Sequence, residues 1–177
     1  MYSSEEKDFL IQYLNRTREE LLAAVVGLSE GQATFKPAPE SWSVSGVVEH
    51  LAIVEGFVDV RLQQLPSMPK DATTNFRDSD AVLLDRVVDR SRRISAPDRA
   101  QPTGQSLAKS VERLLTSRTR IADFLQSPPA DFHEHHLPHP VFGGLDGHQW
   151  LVALAGHCDR HTRQIHEIKA APGFPRQ

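Results

Sequence analysis

Apolar side chains recur at helical spacing in five stretches of this chain, and no alternation of apolar and polar residues runs long enough to predict a useful strand. Phe9, Leu10, Tyr13, Leu14, Thr17, Leu21, Ala24 and Val25 form the first stripe. Ser3 followed by Glu6 is a capping-box pattern in front of it, so the spacing predicts a helix from about Ser4 to Leu28. SEGQATFKPAPE then reads as loop. Ser43 caps a second helix that carries Val47, Val48, Leu51, Val54, Phe57, Val58 and Leu62 and stops before Pro66.

After a connector, LPSMPKDATTNF, the residues Leu83, Leu84, Val87, Val88 and Ile94 suit a shorter amphipathic helix, capped by Ser79 or Asp78 and ended by APDRAQPTGQ. Leu107, Val111, Leu114, Leu115, Ile121 and Leu125 predict a third long helix over about Ser106 to Gln126. SPPADFHEHHLPHPVFGGLDG reads as a loop rich in Pro, Gly and His. Asp146, with Gln149 completing a capping box, starts the last helix, on whose inner face lie Trp150, Leu151, Leu154, His157, His161, Ile165 and Ile168. Four long amphipathic helices bury their stripes best against one another, which predicts an all-α four-helix bundle forming a single domain over residues 1–177.

Composition narrows the partners. The 177 residues are 39% hydrophobic and 24% charged, ordinary for a globular protein. Lys plus Arg number 20 against 23 Asp plus Glu, for a net charge of -3, with no basic run interleaved with aromatics, so nucleic acid is excluded as an expected partner. The lone Cys158 forms no internal disulfide. Neither a secretory signal nor a membrane-spanning run is visible, which makes the expected location cytoplasmic and membrane partners unexpected.

The chemistry concentrates in histidines. His157 and His161 are one helical turn apart, about 40° around the axis, and both fall on the apolar stripe. Imidazoles aimed into a bundle core need hydrogen-bond partners or a metal to offset desolvation, and an inward pair fits either reading. His50, among Val47, Val54 and Phe57 on the second helix, completes a triad if the two helices pack side by side. HExxH is absent, since Cys158 follows His157, so metalloprotease chemistry is disfavoured. Glu49 and Asp159 lie about 100° from their neighbouring histidines and read as solvated surface charges. His133, His135, His136 and His139 form a rival, loop-borne cluster. Arg118 lies on the inner stripe of the third long helix, where it either packs its stem with the head reaching water or meets an anionic group at the bundle mouth. The aromatics Trp42, Phe57, Phe142 and Trp150 are candidates for a pocket wall or for core.

ESWSVSGVVEHLAIVE and HPVFGGLDGHQWLVALAGHCDRHTRQI together resemble the DinB-like (DinB/YfiT-like) superfamily of metal-binding four-helix bundles. The first matches its tryptophan, helix start and histidine, and the second its HP-x-FG loop and closing H-x-x-x-H-x-x-Q-I. The resemblance spans nearly the whole chain. It implies an up-up-down-down bundle with a long connection, over Leu65 to Gly104, between the second and third long helices. It implies His50, His157 and His161 as ligands of a divalent metal, zinc or nickel first, and a homodimer. Members with the triad include transferases and isomerases that use low-molecular-weight thiols such as bacillithiol or mycothiol, and others are described as metal-dependent hydrolases. The expectation that follows is an enzyme acting on a small-molecule substrate, in which the metal activates a thiol, Gln164 hydrogen-bonds His161, and Arg118 meets a carboxylate of thiol or substrate. The alternatives are a hydrolase with metal-activated water and a non-catalytic, stress-associated metal-binding protein.

Overall fold

The N-terminal helix α1, Ser4–Val25, begins where Ser3 and Glu6 close the expected capping box. It stops short of Leu28 because Gly27 takes a φ of 73°, outside the helical region. The computed structural model describes residues 2–68, 70, 79–92, 94–128 and 131–176. A five-residue helix, α2 (Glu30–Thr34), occupies the stretch expected to be loop. Its signal is local: Ser29 and Gln32 form a second capping box. The long helix α3 (Val44–Gln64) starts at Ser43, and α4 (Asp80–Val88) starts at Ser79, the alternative cap Asp78 lying outside the described residues.

Helix α4 ends before Ile94 because its last carbonyls are taken by a side chain from elsewhere. Arg160 donates to the carbonyls of Val87, Asp89 and Arg92, and Asp89 Oδ1 accepts the Ser91 N–H at 2.8 Å. Helix α5 (Leu107–Gln126) is capped by Ser106, and α6 (Gly147–Ala170) by Asp146 with Gln149. Between them a short antiparallel hairpin pairs β1 (His136–His139) with β2 (Gly143–Asp146) in the region expected to be loop. His139 makes the hairpin turn: its Nδ1 accepts the N–H groups of Val141 and Phe142 at 3.2 and 3.3 Å, while Gly143 takes a φ of 79°.

Cross-helix contacts give the directions. Thr17 lies beside Cys158 and Ala24 beside Lys169, so α1 and α6 run parallel. Glu55 lies beside Arg118 and Asp59 beside Arg120, so α3 and α5 run parallel too. His50 approaches His157 while Leu65 approaches Gly147, which sets α3 antiparallel to α6. The long helices form a four-helix bundle with the long connection where expected, but their order is up-down-down-up in place of up-up-down-down. Parallel neighbours α3 and α5 need the chain to travel the length of the bundle between them, and the segment containing α4 does so. It crosses α6 where Gly156 leaves room: a Cβ there would lie 2.8 Å from Leu84 and 3.0 Å from Val87.

The interior has two apolar layers. One gathers Leu10, Leu14, Val58, Leu62, Ile121, Leu125, Leu151 and Leu154. The other gathers Leu21, Val44, Val47, Val48, Leu51, Leu114, Cys158 and Ile165. Each fully buried Leu or Val contributes on the order of 2 kcal/mol, so these layers carry the fold. Polar groups interrupt them, among other places, at the levels of Arg118 and of His50.

Candidate metal centre

The first interruption lies at the level of Arg118. This side chain is 2% exposed and its guanidinium grips Glu55, itself 0% exposed, through Nε at 2.7 Å and through Nη2. Nη1 donates to the Leu14 carbonyl at 2.7 Å and to Thr17 Oγ1 at 3.3 Å. Burial opposes the charge on Arg118, and the adjacent carboxylate outweighs it and raises its pKa. The head neither reaches water nor points to an opening. Both side chains are buried, and each nitrogen of the guanidinium and each oxygen of the carboxylate already has a partner within the chain.

The second interruption is the expected triad. His50 of α3 meets His157 and His161 of α6, and a ligating atom from each lies within 4.8 Å of the others. Among the described residues this is the group of His, Cys, Asp or Glu side chains able to hold a metal. His50 Nε2 and His161 Nε2 each lie 3.1 Å from His157 Nε2. Trp42 covers one side, its ring centroid 4.8 Å from that of His50 and 6.3 Å from that of His161.

Outer partners settle the tautomers. His50 Nδ1 donates to the Ala100 carbonyl at 2.7 Å, and a carbonyl only accepts, so the proton sits on Nδ1 and Nε2 presents a lone pair. His161 Nδ1 donates to Gln164 Oε1 at 2.8 Å, with the same result. That amide is oriented by Arg90, whose Nη1 donates to Gln164 Oε1 at 3.5 Å while its Nε binds Glu167 at 2.7 Å. His157 Nδ1 is buried with no partner. A proton on His157 Nε2 satisfies one neighbouring lone pair and not both, and a proton on Nδ1 leaves all three Nε2 atoms facing one another as acceptors.

A cation among the three nitrogens removes this conflict. Bond lengths of about 2.0–2.1 Å around a tetrahedral ion correspond to nitrogens about 3.3 Å apart, close to the 3.1 Å found for two of the pairs. Electrostatics agree. Burial lowers the pKa of His50, the hydrogen bond to Ala100 only partly opposing it. Burial and the His50 ring push His161 down to about 3. Burial and the two neighbouring imidazoles hold His157 well below its ordinary value, although the residue as a whole is only partly buried. All three rings are therefore neutral donors at neutral pH.

The other candidates lie elsewhere. Glu49 is not a solvated surface charge: its side chain is buried and accepts four hydrogen bonds from Thr103, Gly104 and Gln105. A helical wheel could not show this, because the partners come from a loop more than fifty residues away. Asp159 pairs with Arg163 one turn on, at 2.9 Å. Cys158 Sγ lies 3.5 Å from the Thr17 carbonyl, away from the triad, and burial raises its pKa to about 11. The loop histidines do not converge. His133 bridges Asp146 and Glu6, His135 Nδ1 binds the Met68 carbonyl, and His139 holds the hairpin turn. His139 also packs at a tilt against Trp150 and Phe142, with ring centroids 4.6 and 4.8 Å away, whereas Phe57 is exposed beneath Arg99. Two arginines near the triad carry no signal in the helical spacing. Arg90, just beyond α4, reaches Gln164, and Arg160, on α6 beside His161, turns to the backbone carbonyls at the end of α4.

Comparisons with known proteins agree with this architecture. YuaE of Bacillus subtilis (strain 168), an uncharacterised protein, is 29% identical over 157 residues, covering 88% of this chain and 94% of its own. YfiT from Bacillus subtilis, a four-helix bundle of unusual topology, superposes with a TM-score of 0.67 at 20% identity, over 99% of this chain and 92% of its own. TT2238, another four-helix bundle protein, gives a TM-score of 0.59 at 20% identity, over 91% of this chain and 98% of its own. With residues 13–165 matching the family profile, the chain belongs to the DinB superfamily.

Proposed function

We propose that His50, His157 and His161 hold a divalent metal ion, zinc or nickel first, and that this protein is a metal-dependent enzyme acting on a small molecule. The observation that carries the reading is the convergence of three Nε2 atoms, two of them fixed as lone pairs by Ala100 and Gln164, beside a buried His157 Nδ1 with no partner. A divalent ion held by three neutral ligands keeps its charge and supplies a nucleophile at neutral pH by acidifying a coordinated thiol or water. The partial exposure of His157 as a residue supports a site that a small molecule could reach over a closed structural one.

Activation of a low-molecular-weight thiol is the chemistry we favour, because a thiol needs no general base from the protein. Glu49 and Glu55 are committed to buried hydrogen bonds and Asp159 to Arg163. Arg118 has no place in recognising that thiol, since Glu55, Leu14 and Thr17 occupy its guanidinium. Hydrolysis by activated water is the second reading, supported by the likeness to YfiT, which is described as a probable metal-dependent hydrolase.

Metal content of untagged protein tests the site. Near-stoichiometric metal in the wild type, lost in His157→Ala/His161→Ala, is the expected result, and equal metal in both proteins would overturn it. Loaded protein incubated with electrophiles and with or without thiols separates the chemistries: thioether products support the first reading, and thiol-independent hydrolysis the second.

A further inference from the structure

Two adjacent residues of α3 hold the same loop. His50 donates to the carbonyl of Ala100 at 2.7 Å, at the end of a short helical turn over Asp98–Ala100. Glu49, 3% exposed, holds the chain just beyond it: Oε1 accepts from Thr103 N at 2.8 Å and Thr103 Oγ1 at 2.7 Å. Oε2 accepts from Gly104 N at 2.9 Å and Gln105 N at 3.0 Å. Gly104 takes a φ of 97°, the conformation that lets successive N–H groups converge on one carboxylate. Pro102 fills the space between, its ring 3.6 Å from where a Cβ on Gly46 would lie.

The carbonyl that sets the His50 tautomer thus belongs to a single helical turn that runs out into loop, rather than to a long helix or a sheet. Backbone in a loop has no ladder to hold it in place, and its position depends on what grips it. Here a buried carboxylate grips it with four charge-assisted bonds, from the residue next to the histidine. No structural need of α3 alone places a carboxylate there. An apolar residue would pack at that depth without needing partners.

We propose that Glu49 is a positioning residue of the triad: by clamping Thr103 to Gln105 it holds the Ala100 carbonyl against His50 Nδ1–H, so that the His50 Nε2 lone pair faces His157 and His161. The proposal rests on the metal-site reading for its functional meaning, while the clamp itself is observable without metal. Groups that orient a metal ligand typically change affinity about 10- to 100-fold when lost, which sets the scale expected.

The test uses full-length untagged protein, zinc alone as the ligand with a competing chelator, and the variants Glu49→Gln, Thr103→Val and His50→Ala, with Glu49→Gln/His50→Ala as the double variant. Glu49→Gln keeps the size of the side chain but turns an N–H group toward N–H donors. It is expected to weaken zinc binding about tenfold, and to weaken it no further in the His50→Ala background. Thr103→Val removes one hydroxyl and leaves the backbone donors, so it folds with a smaller loss in the same direction; it decides the matter if Glu49→Gln does not fold. In metal-free protein, nitrogen NMR of the His50 ring is expected to show the Nδ1–H tautomer in the wild type and a mixture in Glu49→Gln. Unchanged zinc affinity in folded variants, an equal loss in the presence and absence of His50, or an unchanged tautomer would each overturn the clamp. Failure of the wild type to bind metal would instead overturn the proposed function, and the tautomer measurement would then decide the clamp by itself.

Discussion

The polar clusters around Arg118 and around His157 meet α3 one turn and a half apart, at Glu55 and His50, and they are built to opposite ends. Around Arg118 every hydrogen-bonding group has a partner within the chain: guanidinium, carboxylate, a carbonyl and a hydroxyl close on themselves. Around His157 the partners supplied by the chain produce a conflict, because Ala100 and Gln164 turn two lone pairs toward a third ring whose own Nδ1 has no partner. A saturated network stabilises one arrangement and offers nothing to a ligand. An unsaturated one of neutral donors is held ready for a cation. One cluster is an ion pair and the other a set of neutral rings, and what separates structure from binding is whether every donor and acceptor finds a partner.

Breaking the saturated cluster has the largest expected effect. Arg118→Leu strands the Glu55 carboxylate in the core and is expected to destabilise the fold by about 3–5 kcal/mol. Arg118→Leu/Glu55→Leu is expected to recover most of that loss, because no buried charge is left. Urea unfolding reads both. Zinc stoichiometry in the folded double variant should match the wild type, and a loss of metal there would tie Arg118 to the site after all.

Acid acts on the other cluster. All three imidazoles have folded pKa values below the ordinary 6.5, with His161 at about 3, so the folded state refuses protons that the unfolded chain accepts. The stability of metal-free protein is therefore full above about pH 6.5 and falls as the pH drops from there toward 3. Thermal unfolding in chelator across that range is expected to show this slope, and a variant with all three histidines replaced by Leu should show a flatter one. Equal slopes would mean that the triad does not hold neutral rings.

A finer contrast concerns the partners of the ligands. Gln164→Leu removes the acceptor that orients His161 and is expected to weaken zinc binding about tenfold, roughly 1.4 kcal/mol, with little change in metal-free stability. Competition with a chelator measures it.

The smallest effect belongs to a histidine outside both clusters. Burial lowers the pKa of His133, but hydrogen bonds and charges from Asp146 and Glu6 outweigh it and raise the value. Its stabilising contribution is thus fully present below about 6.5 and lost as the pH rises through the raised folded value. His133→Gln should remove this slope and leave zinc binding unchanged, in contrast to any member of the triad. Proton titration by NMR checks the pKa, and a value at or below 6.5 would sink the assignment.

Much of this was legible in the residues because it depends on local spacing. The caps Ser3, Ser43, Ser79, Ser106 and Asp146 stand where the helices begin. The small helix α2 has a local signal as well, in the capping box of Ser29 and Gln32 ahead of Pro37 and Pro39. The end of α4 was not, since a guanidinium from α6 terminates it. The β1–β2 hairpin has strands too short for alternation to register, and its turn is folded by a histidine side chain.

The sequence by itself determined that four amphipathic helices form a bundle and that His157 and His161 face its interior, because periodicity and capping act within a few residues of each other. That His50 joins them, that Arg118 is locked to Glu55, that Glu49 is buried and that Arg90, from just beyond α4, reaches Gln164 beside the triad were decided only by tertiary structure. The physical reason is the same in each case: the fate of a buried polar group depends on the partner that reaches it, and these partners arrive from other helices and from a distant loop.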